Sequence, residues 1–330
     1  MYPETKLQVG VIGVGALGRH HARLYNMSDK CDVVGIYDAT PENAKAVGEE
    51  FDLKVFDSME KLAEKCDALS VAVPATYHHK VAMPLLKMNK HLLIEKPLAS
   101  IAAEGREIVE EAEKRDLCLG VGHVERFNPG MDFLARRSAA TRFIEAHRLA
   151  KYPPARPGLH RRGTEVSVVL DLMIHDLDLI LTMVDSEVDR FDAVGIPVLS
   201  KTEDIASVRI KFKNGSVANL TASRISVDPQ RRFRVFQEDC YISLDYGECT
   251  GMILRKNRVG ISRKDINFDQ KNALAHELED FLDATKHTIE SGVIMRPKVS
   301  GIDGLKALEL AEAISESIVD YNDEYGFKFS

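Results

Sequence analysis

The sequence predicts an α/β protein, with an N-terminal doubly wound parallel (Rossmann) sheet followed by an α+β domain built on an open, mostly antiparallel sheet. Three observations carry this. Apolar runs of strand length alternate with helical patterns through the first 122 residues. A glycine-rich turn separates the first run from the first helix. Past Asn128-Pro129 the alternation gives way to consecutive strand patterns.

In the first region LQVGVIGV, CDVVGIYD, the short LKVF, ALSVAVP, HLLIEKP and LCLGVG read as strands. Helical patterns cover 16–28, 41–50, 58–65, 77–88 and 100–114. Strands that are apolar on both faces, each followed by a helix, belong to a parallel sheet covered on both sides. In the second region one helical pattern over 169–183 precedes the runs ASVRIKFKNG, SVANLTASRISV, FRVFQEDCYISLDY and GMILRKN. Asn214-Gly215, between the first two runs, is a hairpin signal because both residues accept positive φ. Helical patterns over 273–291 and 301–321 close the chain. The expected division is 1–122 for the dinucleotide-binding domain and 123–330 for a substrate-binding and assembly domain. The outer face of the open sheet is expected to carry Val217, Leu220, Val235 and Ile242 and to pair copies of the chain into a homodimer or homotetramer.

Composition narrows the function classes. A chain of 330 residues with 45% hydrophobic and 29% charged residues can bury a core in each half. A net charge of −7 gives nucleic-acid binding no global electrostatic support. No apolar run approaches the roughly 20 residues needed to span a bilayer, and the N-terminus lacks a basic leader region. The five cysteines are scattered, without C-x-x-C spacing, which speaks against a disulfide framework or a metal site and for a reducing cytoplasm.

Gly13-Val14-Gly15-Ala16-Leu17-Gly18 follows a strand and opens a helix, the context a dinucleotide-binding turn requires. Gly13 permits the tight turn, Gly15 admits the pyrophosphate, and Gly18 allows close helix–strand packing. The free N–H groups of the helix start then face the phosphates. Asp38 lies at the end of the second strand and is followed by Ala39 and Thr40 rather than arginine. A carboxylate there accepts from both ribose hydroxyls and repels a 2′-phosphate, so the expected cofactor is NAD.

Glu95-Lys96-Pro97 ends the fifth strand pattern, at the carboxyl edge where such sheets place their ligands. Asp171-Leu172-Met173-Ile174-His175 sets an acid and a histidine at i, i+4 on one helix face, with Asp178 further along it. Together with the glycine turn, Val73-Pro74…His78 and Arg296-Pro297…Ser300-Gly301…Gly304-Leu305, these motifs resemble the Gfo/Idh/MocA oxidoreductases across essentially the whole chain. The resemblance implies that Lys96, Asp171 and His175 form the catalytic set and contact substrate. It also places Pro74, His78, Glu95 and Lys96 beside the cofactor, with a helix-start role for His78 as the alternative.

GHVERFNP joins the two regions, so Arg126 and His123 are expected to face the substrate; His20 and His21 are expected to pack the first helix or neighbour the pyrophosphate. Particular segments, GHVERFNP, RGTEV with VVLDLMIHDLDLIL, and VANLTASR, are similar to a branch that oxidises C3 of UDP-N-acetylglucosamine for 3-amino-sugar lipid A. The corresponding uronate, or a free sugar or inositol, is the alternative substrate, and a non-catalytic NAD-binding regulator is a further one. The basic stretch Lys151–Arg162, whose Pro153–Arg161 insertion is longer than in the branch pattern, then becomes a candidate diphosphate contact through Arg161 and Arg162, since arginine forks match phosphate oxygens.

Overall fold

The computed structural model describes residues 6–135, 140–154, 166–258 and 260–327. Its chain divides into two compact units, residues 1–124 with 272–305 and residues 125–271 with 306–330.

The first unit opens with β1 (Leu7–Ile12), α1 (Gly18–Asn26), β2 (Cys31–Tyr37), α2 (Pro41–Phe51), α3 (Met59–Ala63), β3 (Ala68–Val71), α4 (His78–Lys87), β4 (His91–Glu95), α5 (Ala102–Lys114) and β5 (Leu119–Gly122). Its five strands are all parallel and ordered β2-β1-β3-β4-β5. The chain reverses direction across the sheet between β1 and β3, which makes the carboxyl end of β1 the topological switch point. β3 and β4 are buried at every position, as their continuous apolar runs require. The LKVF run forms only an isolated bridge, Val55 to Ile36, at the edge beside β2. Two of its four residues, Lys54 and Val55, are exposed, too little buried apolar surface to hold a full strand.

In the second unit, α6 (Pro129–Ala135), β6 (Thr141–Leu149), a π-helical turn Val169–Met173, α7 (Ile174–Met183) and strands β7 (Val188–Ile196), β8 (Ile205–Phe212), β9 (Val217–Ser223), β10 (Gln230–Gln237), β11 (Cys240–Asp245), β12 (Thr250–Asn257) and β13 (Gly260–Asn267) follow in order. The eight strands run β13-β12-β11-β10-β6-β9-β8-β7. β6 and β9 pair in parallel and every other neighbour pair is antiparallel. The Asn214-Gly215 hairpin forms as expected, with Gly215 at φ 85° and the Asn214 side chain accepting from Ser216 N. The FRVFQEDCYISLDY run is two strands, β10 and β11, joined by the polar Glu238-Asp239 turn. β7 and β13 carry no apolar alternation that would mark them; β13 is almost entirely exposed.

Two helices complete the chain, α8 (Ala273–Ser291) and α9 (Gly301–Tyr325). Here the expected division into 1–122 and 123–330 needs correction. Leu278, Phe281, Leu282 and Ala284 of α8 share a buried cluster with Val9 and Val11 of β1 and Ala22 and Tyr25 of α1. α8 therefore covers the parallel sheet and belongs to the first unit. The strand-face expectation also fails for three residues. Leu220, Val235 and Ile242 are at most 1% exposed and lie in the second core, among Ile174, Leu177 and Ile314. The opposite face carries Phe143, Phe236 and Tyr241 on neighbouring strands, with ring centroids 5.4 and 4.7 Å apart. Val217 lies in this row, paired with Phe143.

Candidate functional site

In the first unit the glycine turn hugs the sheet. A Cβ at Gly18 would lie 1.8 Å from the Gly13 carbonyl oxygen, and one at Gly13, where φ is 82°, would lie 2.7 Å from Val73 Cγ1. A side chain at Gly18 would push α1 off the turn that follows β1, and one at Gly13 would collide with the segment that follows β3. Gly15 is different: nothing lies within 4 Å of its would-be Cβ. That open space sits at the entrance to α1, whose first turn carries no acidic residue, and exposed Ala16 and half-buried Leu17 flank it. A pyrophosphate fits there, facing helix N–H groups with no competing carboxylate.

Asp38 completes the cradle. Its Oδ2 accepts from Val14 N at 2.8 Å and its Oδ1 from Thr40 N at 2.8 Å. The carboxylate thus fastens the end of β2 to the glycine turn on one side and to the start of α2 on the other. Each oxygen keeps a second lone pair for a ribose hydroxyl.

The turn after β4 holds Lys96, half-buried, between buried Glu95 and half-buried Pro97. Glu95 is 6% exposed. A Cβ on Gly122 would lie 2.7 Å from Glu95 Oε2, so the glycine ending β5 makes room for that carboxylate. His21 Nε2 lies 2.8 Å from Glu95 Oε1, and the Lys96 amide donates to Glu95 Oε2 at 3.3 Å. Burial alone would raise the Glu95 carboxyl. The hydrogen bond from His21 and the neighbouring Lys96 ammonium outweigh it and hold the group below the usual carboxylate range.

His78 opens α4 and has a structural role there. It is 1% exposed, with Nδ1 2.8 Å from the Pro97 carbonyl and Nε2 2.9 Å from the Val73 carbonyl. Both ring nitrogens face main-chain oxygens, so the side chain ties the turn after β3 to the turn after β4. Burial pushes its pKa below the usual imidazole value, against the two carbonyl contacts. Pro74 is exposed beside it. His20 is exposed, whereas His21 is wholly buried against Glu95.

In the second unit Asp171 lies on the π-helical turn and His175 in the first turn of α7, both half-buried. Met173 and Ile174 between them are buried and Leu172 is half-buried. The π-turn interrupts the regular helix at this point, as such turns often do at functional sites. Asp178 leaves the stripe expected of it: it is 1% exposed and grips Arg126 at 2.8 Å (Nε) and 2.6 Å (Nη2). Arg126, expected to contact substrate, is itself 8% exposed and commits its fork to this pair. His123 is likewise wholly buried. Arg161 and Arg162 lie outside the described residues.

Several structural residues escaped the sequence reading. Arg148 of β6 is 4% exposed and binds Asp176 at 3.0 and 3.2 Å and Glu125 at 3.1 Å, while Tyr246 donates to Asp176 at 3.1 Å. Arg224 binds Asp204 at 2.8 Å and the Val166 carbonyl at 2.8 Å. The available signal was a charged residue at a core position of an alternating strand, Arg148 after Ile144 and Ala146, and Arg224 two places after buried Ala222. For His21 it was membership of the stripe Gly18, His21, Ala22, Tyr25 at helical spacing.

A parallel sheet with a pyrophosphate cradle at its switch point, and a lysine on an adjoining strand-end turn, defines a nicotinamide-dependent dehydrogenase. Residues 7–123 match the oxidoreductase family, NAD-binding Rossmann fold, and residues 140–243 match the GFO/IDH/MocA C-terminal domain. The chain belongs to the Gfo/Idh/MocA oxidoreductases, and its cofactor is NAD.

Within the family, it is 35% identical over 285 residues, 84% of this chain and 88% of the relative, to the UDP-N-acetylglucosamine 3-dehydrogenase of Acidithiobacillus ferrooxidans. A solved structure of that enzyme matches with a TM-score of 0.88 at 33% identity, covering 96% of this chain and 99% of the other. The chain is also 26% identical over 327 residues to a myo-inositol 2-dehydrogenase from Thermotoga maritima, covering 94% of this chain and 96% of that one. A levoglucosan dehydrogenase solved with NADH and levoglucosan shares the fold, with a TM-score of 0.83 at 18% identity and coverage of 96% and 98%. Among the described residues no helix is long and apolar enough to cross a membrane.

Proposed function

We propose that this chain oxidises the C3 hydroxyl of UDP-N-acetylglucosamine, the reaction that opens a route to 3-amino-sugar lipid A. The observation that carries the reading is the 35% identity to the Acidithiobacillus enzyme over 84% of the chain, and the sequence carries Lys96, Asp171 and His175. The Gly13–Gly18 turn and Asp38 would hold NAD, which would supply the hydride acceptor.

The chain's own groups handle the proton. Lys96 hydrogen-bonds the reacting oxygen and stabilises the alkoxide as it develops. His175, an imidazole, can take the hydroxyl proton. Asp171, in the same helical segment, orients the imidazole or the sugar. Either Lys96 or His175 can serve as the formal base. Arg161 and Arg162 supply the positive charge that a diphosphate needs in a protein of net charge −7.

We place the protein in the cytoplasm, consistent with five free cysteines, four of them buried. The aromatic row Phe143, Phe236 and Tyr241, with Phe236 37% exposed, supports assembly into a homodimer or homotetramer through that sheet face.

Incubation with NAD+ and a panel of UDP-sugars, scored by mass spectrometry, tests the reading. The expected product is UDP-N-acetylglucosamine less two hydrogens, with UDP competing against the sugar. Full turnover of a free monosaccharide or inositol, with no effect of UDP, would overturn it in favour of the inositol-type activity.

A further inference from the structure

Behind Lys96 runs a closed chain of buried polar groups. Tyr25 of α1 is 1% exposed, and its hydroxyl lies 2.9 Å from Ser70 Oγ. Ser70 of β3, also 1% exposed, lies 3.2 Å from His21 Nδ1. His21 Nε2 reaches Glu95 at 2.8 Å, and Glu95 Oε2 accepts the amide of Lys96. All these residues belong to the first unit.

The direction of the bonds follows from chemistry. A carboxylate only accepts, so His21 Nε2 must donate to Glu95. Tyr25 lies at the far end, where burial pushes its pKa far above the usual phenol value; it keeps its proton and donates to Ser70. Ser70 is then free to donate to His21 Nδ1. One neutral tautomer of His21 satisfies every bond, and three donors in succession, Tyr25, Ser70 and His21, point toward Glu95. None of these four side chains is needed to hold the glycine turn, which Gly13, Gly18 and Asp38 already fix.

We propose that His21 is a positioning residue for Lys96: through Glu95 it fixes the turn that carries the lysine and keeps a negative charge beside it. The inference rests on Lys96 acting in catalysis as read above. With the donor in place Glu95 stays ionised and favours the lysine ammonium. Without it a buried carboxylate has lost its strongest partner and takes up a proton more readily, so the ammonium loses its support. The other titratable groups that face this chain are Lys96 on the same turn, His78 from α4, and Cys31 and Glu277 beside Tyr25.

The sign is fixed. Losing the Glu95 charge lowers the proton affinity of Lys96, so the pH limb that Lys96 sets moves to lower pH whether the lysine acts as ammonium or as base. Steady-state kinetics with NAD+ and UDP-N-acetylglucosamine across pH, on the intact protein, test this. The Lys96 limb is the one that Lys96→Ala abolishes.

His21→Leu is expected to lower kcat about tenfold, with NAD+ affinity held within about twofold, and to move that limb down by about one pH unit. His21→Gln keeps a donor toward Glu95 and an acceptor toward Ser70, so it should recover most of the loss. Tyr25→Phe, which deletes one oxygen, should move the limb in the same direction by less. A His21→Gln variant as impaired as His21→Leu would reduce His21 to packing and overturn the proposal. If His21→Leu does not fold, Tyr25→Phe and Ser70→Ala read the same shift, and an unmoved limb in both overturns it. Undiminished kcat in Lys96→Ala is a separate result, and it would overturn the catalytic reading itself.

Discussion

The two units bury polar groups by opposite means. In the first unit the buried chain is Tyr25, Ser70, His21 and Glu95, joined by hydrogen bonds and with no guanidinium among them. In the second unit the buried groups are arginine–carboxylate pairs: Arg126 with Asp178, Arg148 with Asp176 and Glu125, and Arg224 with Asp204. A guanidinium keeps its charge at every accessible pH and its fork fixes two oxygens at once. One network can therefore tune a neighbouring lysine. The other can only staple, and it pins α7 and the segment before it, by Asp176, Asp178 and Val166, to β6, to Arg224 just past β9 and to the Glu125–Arg126 turn.

The sharpest way to break that contrast is to remove a staple. Asp204 is wholly buried and accepts from Arg224 and from the amides of Val198, Leu199 and Ser200. Burial alone would raise its pKa, but the bonds from Ser200, Arg224 and the main chain hold it far below the usual carboxylate value. Asp204→Asn strands the buried Arg224 charge and should cost about 3–5 kcal/mol of unfolding free energy at neutral pH.

The pH sign follows from the depressed value. Stability contributed by Asp204 is fully present above the unfolded aspartate pKa near 4 and is lost as pH falls through the folded value. Denaturant titrations should show the unmodified protein losing stability below pH of about 4 more steeply than Asp204→Asn. Equal acid slopes would mean the pair does not carry the charge assigned to it. Tyr25→Phe, by contrast, removes one neutral bond and should cost about 1 kcal/mol.

A smaller effect in free energy, but the one that locates the chemistry, is Lys96→Ala. A lost charge-stabilising or proton-transfer group should lower kcat roughly 10²-fold, about 2.7 kcal/mol, while NAD+ affinity stays near normal. His175→Ala should do likewise. The double variant should lose less than the product of the two, because the groups serve one transition state. Multiplicative losses would show that the lysine and the histidine act in separate steps.

What the sequence revealed divides along the same line. The parallel sheet was legible because β3 and β4 are apolar on both faces, and the glycine turn because its spacing answers to one ligand. The helix that carries Asp171 and His175 was legible, but its π-turn was not, since a one-residue widening leaves no mark in an i, i+4 pattern. β13 was invisible: it is a polar, exposed ribbon held by ladder bonds to β12 alone. The buried arginines were missed because a charge at a core position of a strand looks like an error in the alternation until its carboxylate, 28 residues away for Arg148 and Asp176, is brought to it. The same distance hides the partner of His21, since Glu95 is 74 residues on. Assigning Leu220, Val235 and Ile242 to the outer face misjudged which side the helices cover, a choice that period-two alternation leaves open.

The smallest expected effect falls on cofactor choice and asks whether Asp38 is itself a staple. Its two oxygens hold Val14 and Thr40, as the buried aspartates of the second unit hold their partners, yet it is half-buried and retains lone pairs toward the ribose. If recognition is its task, the unmodified protein should bind NAD+ at least about tenfold more tightly than NADP+, about 1.4 kcal/mol. Asp38→Ala should narrow that gap by weakening NAD+ and relieving the repulsion of a 2′-phosphate. If it is chiefly a staple, the substitution should weaken both cofactors in proportion, because the turn that cradles their common pyrophosphate loosens. Fluorescence titration of both cofactors against both proteins separates the two. Equal affinity for NAD+ and NADP+ in the unmodified protein would remove Asp38 from recognition and leave it with the turn alone.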